Sequence, residues 1–172
     1  MGKLEIVDYG DEHRDELVAV ALAVRSRYPV YPPPASAGDT AESFERWLSS
    51  DEPLVRKVAL LDGEVIGHGM LSEPHSYITD ALGPLTPKDG HSPLAEIGKL
   101  FVSPLTAQRG TGAALLNGLV TSAKSMDRIS VSCILDDSPE SLALHRKLGF
   151  RVATSFDGIS GLNHILTHWN RI

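Results

Sequence analysis

The chain is poor in cysteine, in aromatic residues and in positive charge. Its 172 residues include one cysteine, Cys133, 6% aromatic residues, and 16 Lys and Arg against 22 Asp and Glu, for a formal net charge of −6. One cysteine cannot form an internal disulfide or a paired-cysteine zinc site, so we expect a reducing, cytoplasmic setting. The acidic balance provides no summed positive field for nucleic acids or anionic membranes, so we expect neither as a partner.

Long apolar runs are also missing. No stretch approaches the roughly 20 apolar residues that a membrane-spanning helix needs, and the N-terminus has no apolar core ahead of its charges. The sequence shows no internal repeat and no low-complexity tract. A chain of this length normally folds around one core, so we predict a single domain over residues 1–172.

The order of apolar residues predicts alternating strands and helices. Period-two patterns closed by turn residues predict seven strands, over residues 3–9, 54–61, 64–71, 95–102, 129–135, 150–157 and 163–171. Apolar positions three and four residues apart predict four helices, which begin at or just after Asp11, Thr40, Gly112 and Ser138. The fold class is therefore mixed α/β, and residues 95–135 should form a right-handed crossover between parallel neighbours.

Two connections are rich in proline and glycine. Residues 28–38 include Pro29, Pro32 and Gly38, and the prolines stiffen this loop because each fixes φ. Residues 74–93 form a connection that is long for a compact domain, which favours a functional flap over a tight turn.

Residues 102–116 are the most informative stretch, because a strand leads through a short loop into a helix that opens on small residues. The first N–H groups of a helix lack intrahelical partners and carry partial positive charge, so a phosphate binds there when small residues allow its approach. Arg109 adds a charge-assisted contact. A Walker phosphate-binding loop is excluded because no Lys-Ser or Lys-Thr follows Gly110. The dinucleotide-binding pattern Gly-x-Gly-x-x-Gly is excluded because Leu115 stands at the position of its third glycine.

Residues 109–114 match the motif Gln/Arg-x-x-Gly-x-Gly/Ala, which the GNAT superfamily of acetyl-CoA-dependent N-acetyltransferases uses to bind pyrophosphate. A strand at residues 96–102 precedes the motif, and a second family-like segment follows at residues 138–150. The sequence therefore resembles this superfamily. The resemblance implies a central mixed, mostly antiparallel sheet of six or seven strands, flanked by about four helices.

The resemblance also implies a site for acetyl-CoA as co-substrate. Backbone N–H groups of the loop and helix start would hold the pyrophosphate, while the preceding strand end would pair with the pantetheine arm and polarise the acetyl carbonyl. Ser138 stands where the family commonly has asparagine near the cofactor. The residues assigned to the cofactor are Leu100, Phe101, Val102, Gln108, Arg109, Gly110, Thr111, Gly112, Ala113, Ala114 and Ser138.

Glu96 is the candidate base, because the acceptor amine must lose a proton to a carboxylate or histidine. It lies on the strand that leads to the acetyl site, and alternation predicts that it shares a face with Gly98, Leu100 and Val102. The alternative is a solvated or salt-bridged strand carboxylate, paired with Lys99 or with a neighbouring strand.

His145 is the second candidate catalytic residue, because it stands where the family commonly has a tyrosine that protonates the departing thiolate. An imidazole can act as an acid near neutral pH. The alternative is an exposed histidine at a helix C-terminus, since Arg146 and Lys147 follow it.

The remaining polar residues carry weaker expectations. Cys133 is interpreted as a small buried strand residue. His164 and His168 share a strand face, but no third ligand accompanies them, so we predict no metal site. Three residues are candidates for an acceptor pocket or, alternatively, for solvated positions: His68, Glu73 and His75.

The sequence thus predicts an enzyme that transfers acetyl from acetyl-CoA to a primary amine by direct attack in a ternary complex. The acidic balance favours a small cationic amine, and residues 28–38 and 73–93 should decide specificity. A protein N-terminus or lysine stays open as the acceptor, and a homodimer is compatible with the sequence. The rival hypotheses are an acyl-CoA-binding regulatory module without turnover and a structural domain without a cofactor.

Overall fold

The computed structural model of the protein describes residues 2–28, 31, 38–83, 93–106 and 110–168. These residues form seven strands: β1 (Leu4–Asp8), β2 (Pro53–Leu61), β3 (Glu64–Ser72), β4 (Leu94–Val102), β5 (Ile129–Leu135), β6 (Arg151–Gly158) and β7 (Gly161–His168). They also form five α-helices: α1 (Arg14–Arg27), α2 (Ala41–Leu48), α3 (Ser76–Leu82), α4 (Thr111–Ser125) and α5 (Pro139–Lys147). The predicted mixed α/β class is confirmed.

All seven strands belong to one sheet, in the order β1-β2-β3-β4-β5-β7-β6. Every neighbouring pair is antiparallel except β4 and β5, which are parallel and joined through α4. The predicted parallel crossover is therefore confirmed, as is the mostly antiparallel sheet.

The two faces of the sheet carry different helices. One face packs against α4 and α5 through a core that includes Ile97, Leu119 and Leu142. The opposite face packs against α1 and α2 around Phe44 and Phe101, and against α3 in a separate cluster. Phe44 and its helical neighbour Leu48 are buried core residues, as their i, i+4 spacing predicts.

Helix α3 was not predicted. Prolines and glycines dominate residues 74–93, but Ser76–Leu82 contains neither, and its Ile78 and Leu82 lie four residues apart and are both buried. The first helix also differs from the prediction. Asp11 does not cap it, because a short 3-10 helix at Asp11–His13 precedes α1. Residues 169–171 of the last predicted strand lie outside the described residues.

Gly67 allows β3, β4 and α4 to approach one another closely. A Cβ atom at this position would lie 2.9 Å from the Phe101 carbonyl oxygen and 3.1 Å from Leu115 Cδ1. The first distance is shorter than real Cβ contacts, and a backbone carbonyl in a paired strand cannot move aside easily. A side chain here would therefore force β3 and β4 apart.

We expect Gly67→Ala to lower the free energy of unfolding by about 1–3 kcal/mol, the usual cost of overpacking. Gly98→Ala is the matched control, because a Cβ there would meet no atom within 4 Å among the described residues. Urea unfolding followed by circular dichroism measures both variants. Equal stability of the two would contradict the close approach at Gly67.

Candidate active site

The parallel strands β4 and β5 are paired over three positions, Leu94–Ile129, Ala95–Ser130 and Glu96–Val131. Beyond Glu96, each strand is paired with its outer neighbour: β4 continues along β3 to Val102, and β5 continues along β7 to Leu135. Between residues 97–102 and residues 132–135 the two described strand edges are thus not paired with each other. We call this opening the wedge. An extended molecule can use such strand edges as hydrogen-bonding partners.

A β-bulge at Lys99 lies in the part of β4 that lines the wedge. In the pairing of β3 with β4, Met70 pairs with Gly98 and His68 pairs with Phe101. Two residues of β4, Lys99 and Leu100, therefore lie opposite the single β3 residue Gly69. Lys99 has a φ of 48°, in the left-handed region that a non-glycine residue rarely adopts. A bulge bends its strand, and this one bends β4 where it leaves β5.

Both the backbone carbonyl and the side-chain ammonium of Lys99 have hydrogen-bond partners. Its carbonyl oxygen accepts a hydrogen bond from His68 Nδ1 at 2.8 Å. Its side chain is 7% exposed, and its ammonium group pairs with Asp51 Oδ2 at 2.8 Å and donates to Ser50 Oγ and the Trp47 carbonyl. Burial lowers the pKa of Lys99, and Asp51 opposes that shift by favouring the charged form.

The bulge overturns one expectation about β4. Glu96 does not share a face with Leu100 and Val102, because the extra residue reverses the alternation beyond Gly98. Leu100 and Val102 pack on the α4 side, whereas Phe101 packs against α1 and α2. Hydrophobic periodicity gives no sign of a bulge, so alternation could not have revealed this change.

Helix α4 begins beside the wedge with its N-terminal N–H groups free of intrahelical partners. The first helical hydrogen bond runs from Ala114 N–H to the Gly110 carbonyl, and Gly110 adopts a left-handed φ of 76°. A Cβ on Gly112 would lie 3.2 Å from Leu144 Cδ2, so a larger residue would crowd α5. Thr111 Oγ1 is buried without a hydrogen-bond partner among the described residues. The geometry is that of an anion site at a helix N-terminus.

The structure describes only some of the other predicted cofactor residues. Gln108 and Arg109 lie outside the described residues. Ser138 caps α5, half-buried, and its carbonyl accepts the Leu142 N–H at 3.1 Å. Its side chain makes no capping hydrogen bond. A role for Ser138 at the cofactor stays a prediction.

Glu96 is buried, with 6% of its surface exposed, on the face that carries α3. Its Oε2 accepts two hydrogen bonds from His75, from the backbone N–H at 2.9 Å and from Nδ1 at 2.7 Å. Its Oε1 accepts a third from the Tyr77 hydroxyl at 3.2 Å. Glu96 is therefore not solvated, and it does not pair with Lys99, whose ammonium binds Asp51 instead. The salt-bridged alternative stays open, with His75 as the partner.

The groups around Glu96 have shifted pKa values. The hydrogen bond to Glu96 is the main cause that raises the pKa of His75, and the charges of Glu96 and Asp51 add to it. Burial, together with the Glu96 charge, raises the pKa of Tyr77. His75 Nε2 also lies 3.5 Å from Asp51 Oδ1. Glu96, His75, Asp51 and Tyr77, which we call the acid–imidazole cluster, therefore form one connected group of side chains.

Sequence reasoning missed two of the four members of this cluster. His75 is a candidate pocket residue in the sequence, but Tyr77 and Asp51 carry no local signal, because three separate elements bring them together. Another candidate pocket residue, Glu73, pairs with Arg128 at 2.7 Å. His68 lies inside the protein, where its Nε2 accepts from Arg56 Nε at 3.2 Å.

His145 is buried, with 2% of its surface exposed, so the exposed alternative is wrong. Its Nδ1 donates to the Ser141 carbonyl at 2.8 Å, and its Nε2 lies 3.1 Å from Ser132 Oγ. Burial lowers the pKa of His145 to about 4, so the ring is neutral near pH 7. A neutral ring whose N–H is already donated is a weak acid catalyst. The acid role stays a prediction that these contacts do not favour.

Cys133 is half-buried in β5, packed in the cluster beneath α3. Burial raises the pKa of its thiol to about 11, which keeps it protonated. His164 binds Asp136 at 2.8 Å, whereas His168 Nε2 donates to the Leu148 carbonyl at 3.1 Å. Across the described ranges, no group of three or more His, Cys, Asp or Glu side chains is placed to hold a metal ion.

A sheet that splits beside a helix N-terminus, with a buried carboxylate and an exposed imidazole at the split, is the arrangement of a protein class that can bind an extended, phosphate-bearing molecule. The family model for the acetyltransferase (GNAT) family matches residues 13–150. The chain therefore belongs to the GNAT family of acetyltransferases, whose co-substrate is acetyl-CoA, and the resemblance seen in the sequence is confirmed.

Solved structures with the same fold include three informative examples. A GCN5-related N-acetyltransferase from Kribbella flavida is 19% identical with a TM-score of 0.68, covering 95% of this chain and 96% of that one. PaiA N-acetyltransferase from Thermoplasma acidophilum, in complex with coenzyme A, is 17% identical with a TM-score of 0.65, covering 96% and 98%. YncA from Salmonella typhimurium, with its cofactor acetyl-CoA, is 17% identical with a TM-score of 0.63, covering 95% and 92%.

At these low sequence identities, the similarity to the solved structures shows a shared fold only. A comparison with curated protein sequences finds no significant match. In the part of the chain that the structure describes, none of the helices has the length and apolar character needed to span a membrane.

The burial of His145 predicts a loss of stability in acid. Its pKa is about 4 in the folded protein against an ordinary 6.5, so the unfolded chain binds the proton first as pH falls below 6.5. Between pH 7.5 and pH 5 this favours unfolding by about 2 kcal/mol. We expect His145→Gln to show a pH dependence of unfolding that is weaker by about that amount.

Urea unfolding of both proteins at the two pH values measures this difference. His68, whose pKa burial also lowers to about 4, stays in both and adds the same slope to each. Identical pH dependence in wild type and variant would show that His145 is not buried in its neutral form.

Proposed function

We propose that the protein is an N-acetyltransferase that moves the acetyl group of acetyl-CoA to a primary amine by direct attack in a ternary complex. The observation that carries the proposal is the wedge, which lies between the N-terminus of α4 and the acid–imidazole cluster. A small-molecule amine is the favoured acceptor. We further propose that residues 1–172 form one catalytic domain in a reducing, cytoplasmic setting, as the single cysteine favours.

We assign separate parts of this geometry to the pyrophosphate and to the pantetheine arm of acetyl-CoA. The pyrophosphate would lie on the N–H groups of Thr111, Gly112 and Ala113, which have no hydrogen-bond partner among the described residues, and the buried Thr111 Oγ1 would offer a further donor. Arg109 would add charge, with Gln108 beside it. The remaining residues of the proposed cofactor site are Gly110, Ala114 and Ser138 around the phosphates, and Leu100, Phe101 and Val102 along the pantetheine arm.

The reaction requires a polarised acetyl carbonyl and a route for two protons, and we place both in and beside the wedge. The amine nitrogen attacks the acetyl carbonyl carbon, a C–N bond forms, and the C–S bond to coenzyme A breaks. A backbone N–H at the end of β4, at Phe101 or Val102, would polarise the carbonyl oxygen. The ammonium form of the amine loses two protons in all. One ends on the departing sulfur, and the other leaves through the acid–imidazole cluster around Glu96.

The charges near the wedge favour a cationic acceptor. Glu96 and Asp51 supply two carboxylates, and the described cation nearest to them, Lys99, is bound to Asp51. An ammonium group approaching His75 and Tyr77 would therefore meet net negative charge. A protein N-terminus or lysine side chain presents the same amine. A homodimer is compatible with this arrangement.

One observation favours a second function, an acyl-CoA-binding module without turnover. His145 occupies the position where the family commonly has its acid, yet it is buried and neutral, with its N–H donated to Ser141. Such a module would bind acetyl-CoA but release no thiol when amines are added.

We expect acetyl-CoA and free coenzyme A to stabilise the protein, by about 2.7 kcal/mol at 100 times the dissociation constant. Arg109→Glu should weaken binding at least tenfold, because it sets like charge against the pyrophosphate. Lys124→Glu is the matched control, since Lys124 is exposed at the opposite end of α4. Thermal melts with each ligand, and with a dinucleotide for comparison, measure the effect.

Two results would count against this cofactor site. An absence of stabilisation by saturating acetyl-CoA would remove it altogether. Equal weakening by Arg109→Glu and Lys124→Glu would show that the effect is one of general charge rather than of contact at the start of α4.

We also expect amine-dependent release of coenzyme A thiol. A panel of polyamines, amino sugars, amino acids and lysine peptides, assayed with a thiol reagent, tests the acceptor class. Faster release with small dications than with amino acids is expected from the two carboxylates. Tight acetyl-CoA binding without release across the panel would favour the binding module.

A further inference from the structure

Glu96 is poorly arranged to take a proton from a substrate itself. Three donors already occupy its two oxygens, two from His75 and one from Tyr77, and it is 6% exposed. Each donor stabilises the carboxylate form and covers a lone pair. The group that meets an incoming amine must offer a free lone pair toward it.

We propose that Nε2 of His75 is the general base and that Glu96 is the positioning residue that orients it. The inference rests on the proposed acetyl transfer and names the atom that accepts the proton. Because a carboxylate only accepts hydrogen bonds, Nδ1 donates to Glu96 Oε2 at 2.7 Å. A neutral imidazole then carries its lone pair on Nε2, and Asp51 Oδ1, at 3.5 Å, lies beyond the ordinary hydrogen-bond distance from that nitrogen. The side chain of His75 is 46% exposed, so a substrate can reach it.

The ring of His75 is fixed from two directions. Its own backbone N–H donates to the same Glu96 oxygen at 2.9 Å, which sets the start of α3 against β4. The ring of Tyr77 lies against it, with centroids 5.4 Å apart and planes inclined by 22°. Tyr77 in turn donates to the other oxygen of Glu96. This arrangement holds Nε2 in one direction without further ordering during the reaction.

The charges around His75 suit the imidazolium that forms. Glu96 faces the ring from β4, Asp51 from the turn after α2 at 3.5 Å, and Tyr77 from α3. Lys99 binds the other oxygen of Asp51 and keeps that carboxylate ionised. Two carboxylates thus flank one imidazole, which raises the pKa of His75 above its ordinary value and makes it a stronger base.

His75 takes up one of the two protons that the substrate ammonium loses in the transfer. His75 Nε2 takes one proton from the substrate ammonium, and the amine lone pair attacks the acetyl carbon. As the C–S bond breaks, the second proton of the ammonium ends on the sulfur. The imidazolium then returns its proton to solvent through its exposed edge, and the products are the acetylated amine and free coenzyme A.

We expect kcat/KM of the wild type to rise with pH through a pKa above 6.5. His75→Gln should lower kcat by 10²-fold or more, the usual scale for losing a general base, and should abolish that rise. Glu96→Gln should move the rise to lower pH, because it removes the charge and hydrogen bond that raise the pKa of His75. The affinity for acetyl-CoA, measured by calorimetry, should change little in either variant.

His164→Gln is the matched control, because His164 forms another imidazole–carboxylate pair, with Asp136 at 2.8 Å, that shares no member with the acid–imidazole cluster. It should keep the wild-type pH profile. If His75→Gln keeps its rate within threefold while Glu96→Gln abolishes it, Glu96 itself is the base and the inference is overturned.

The tautomer of His75 provides a readout that needs no acceptor. Nitrogen-15 NMR should show Nδ1 protonated in the neutral ring, with a pKa that falls in Glu96→Gln. A neutral ring protonated on Nε2 would overturn the inference even if acetyl transfer occurs. Failure of every amine to turn over would refute the proposed function instead, and the NMR result would still decide the orientation of His75.

Discussion

The buried ammonium of Lys99 holds the site together. An amino group in the interior needs partners, and this one has Asp51, Ser50 and the Trp47 carbonyl, all at the C-terminal end of α2, where the helix dipole also favours a cation. Because the same residue forms the bulge in β4, the pairing fixes α2 against the strand that lines the wedge. It also places Asp51 within 3.5 Å of His75 Nε2. Backbone geometry and charge at the site therefore depend on one side chain.

Strand β4 then connects the two chemical tasks of the site. Glu96 lies at the last position paired with β5, and the chain proceeds through the bulge to the N-terminus of α4. In the proposed mechanism, the proton-accepting side chains and the anion-binding N–H groups thus belong to one stretch of chain. That stretch would serve a molecule with phosphates at one end and a reactive carbonyl at the other.

Local sequence patterns predicted most of the fold. Periodicity and turn residues identify all seven strands and four of the five described helices, including α4 with its glycine-rich start. Helix α3 was hidden by the prolines and glycines around it. The bulge at Lys99 and the contacts of Asp51 and Tyr77 arise between distant segments, which a single sequence does not relate. The burial of His145 did have a signal, because Leu142 lies three residues earlier on the same buried face of α5.

The short parallel ladder between β4 and β5 has a consequence for the protein as a whole. Within the one sheet, three residue pairs join the part formed by β1–β4 to the part formed by β5, β7 and β6. An extended molecule that hydrogen-bonds both edges of the wedge acts as an additional strand and joins these halves. Ligand affinity and the cooperativity of unfolding then draw on the same hydrogen bonds, so amide exchange in β6, at the far edge, becomes coupled to a ligand that never touches it.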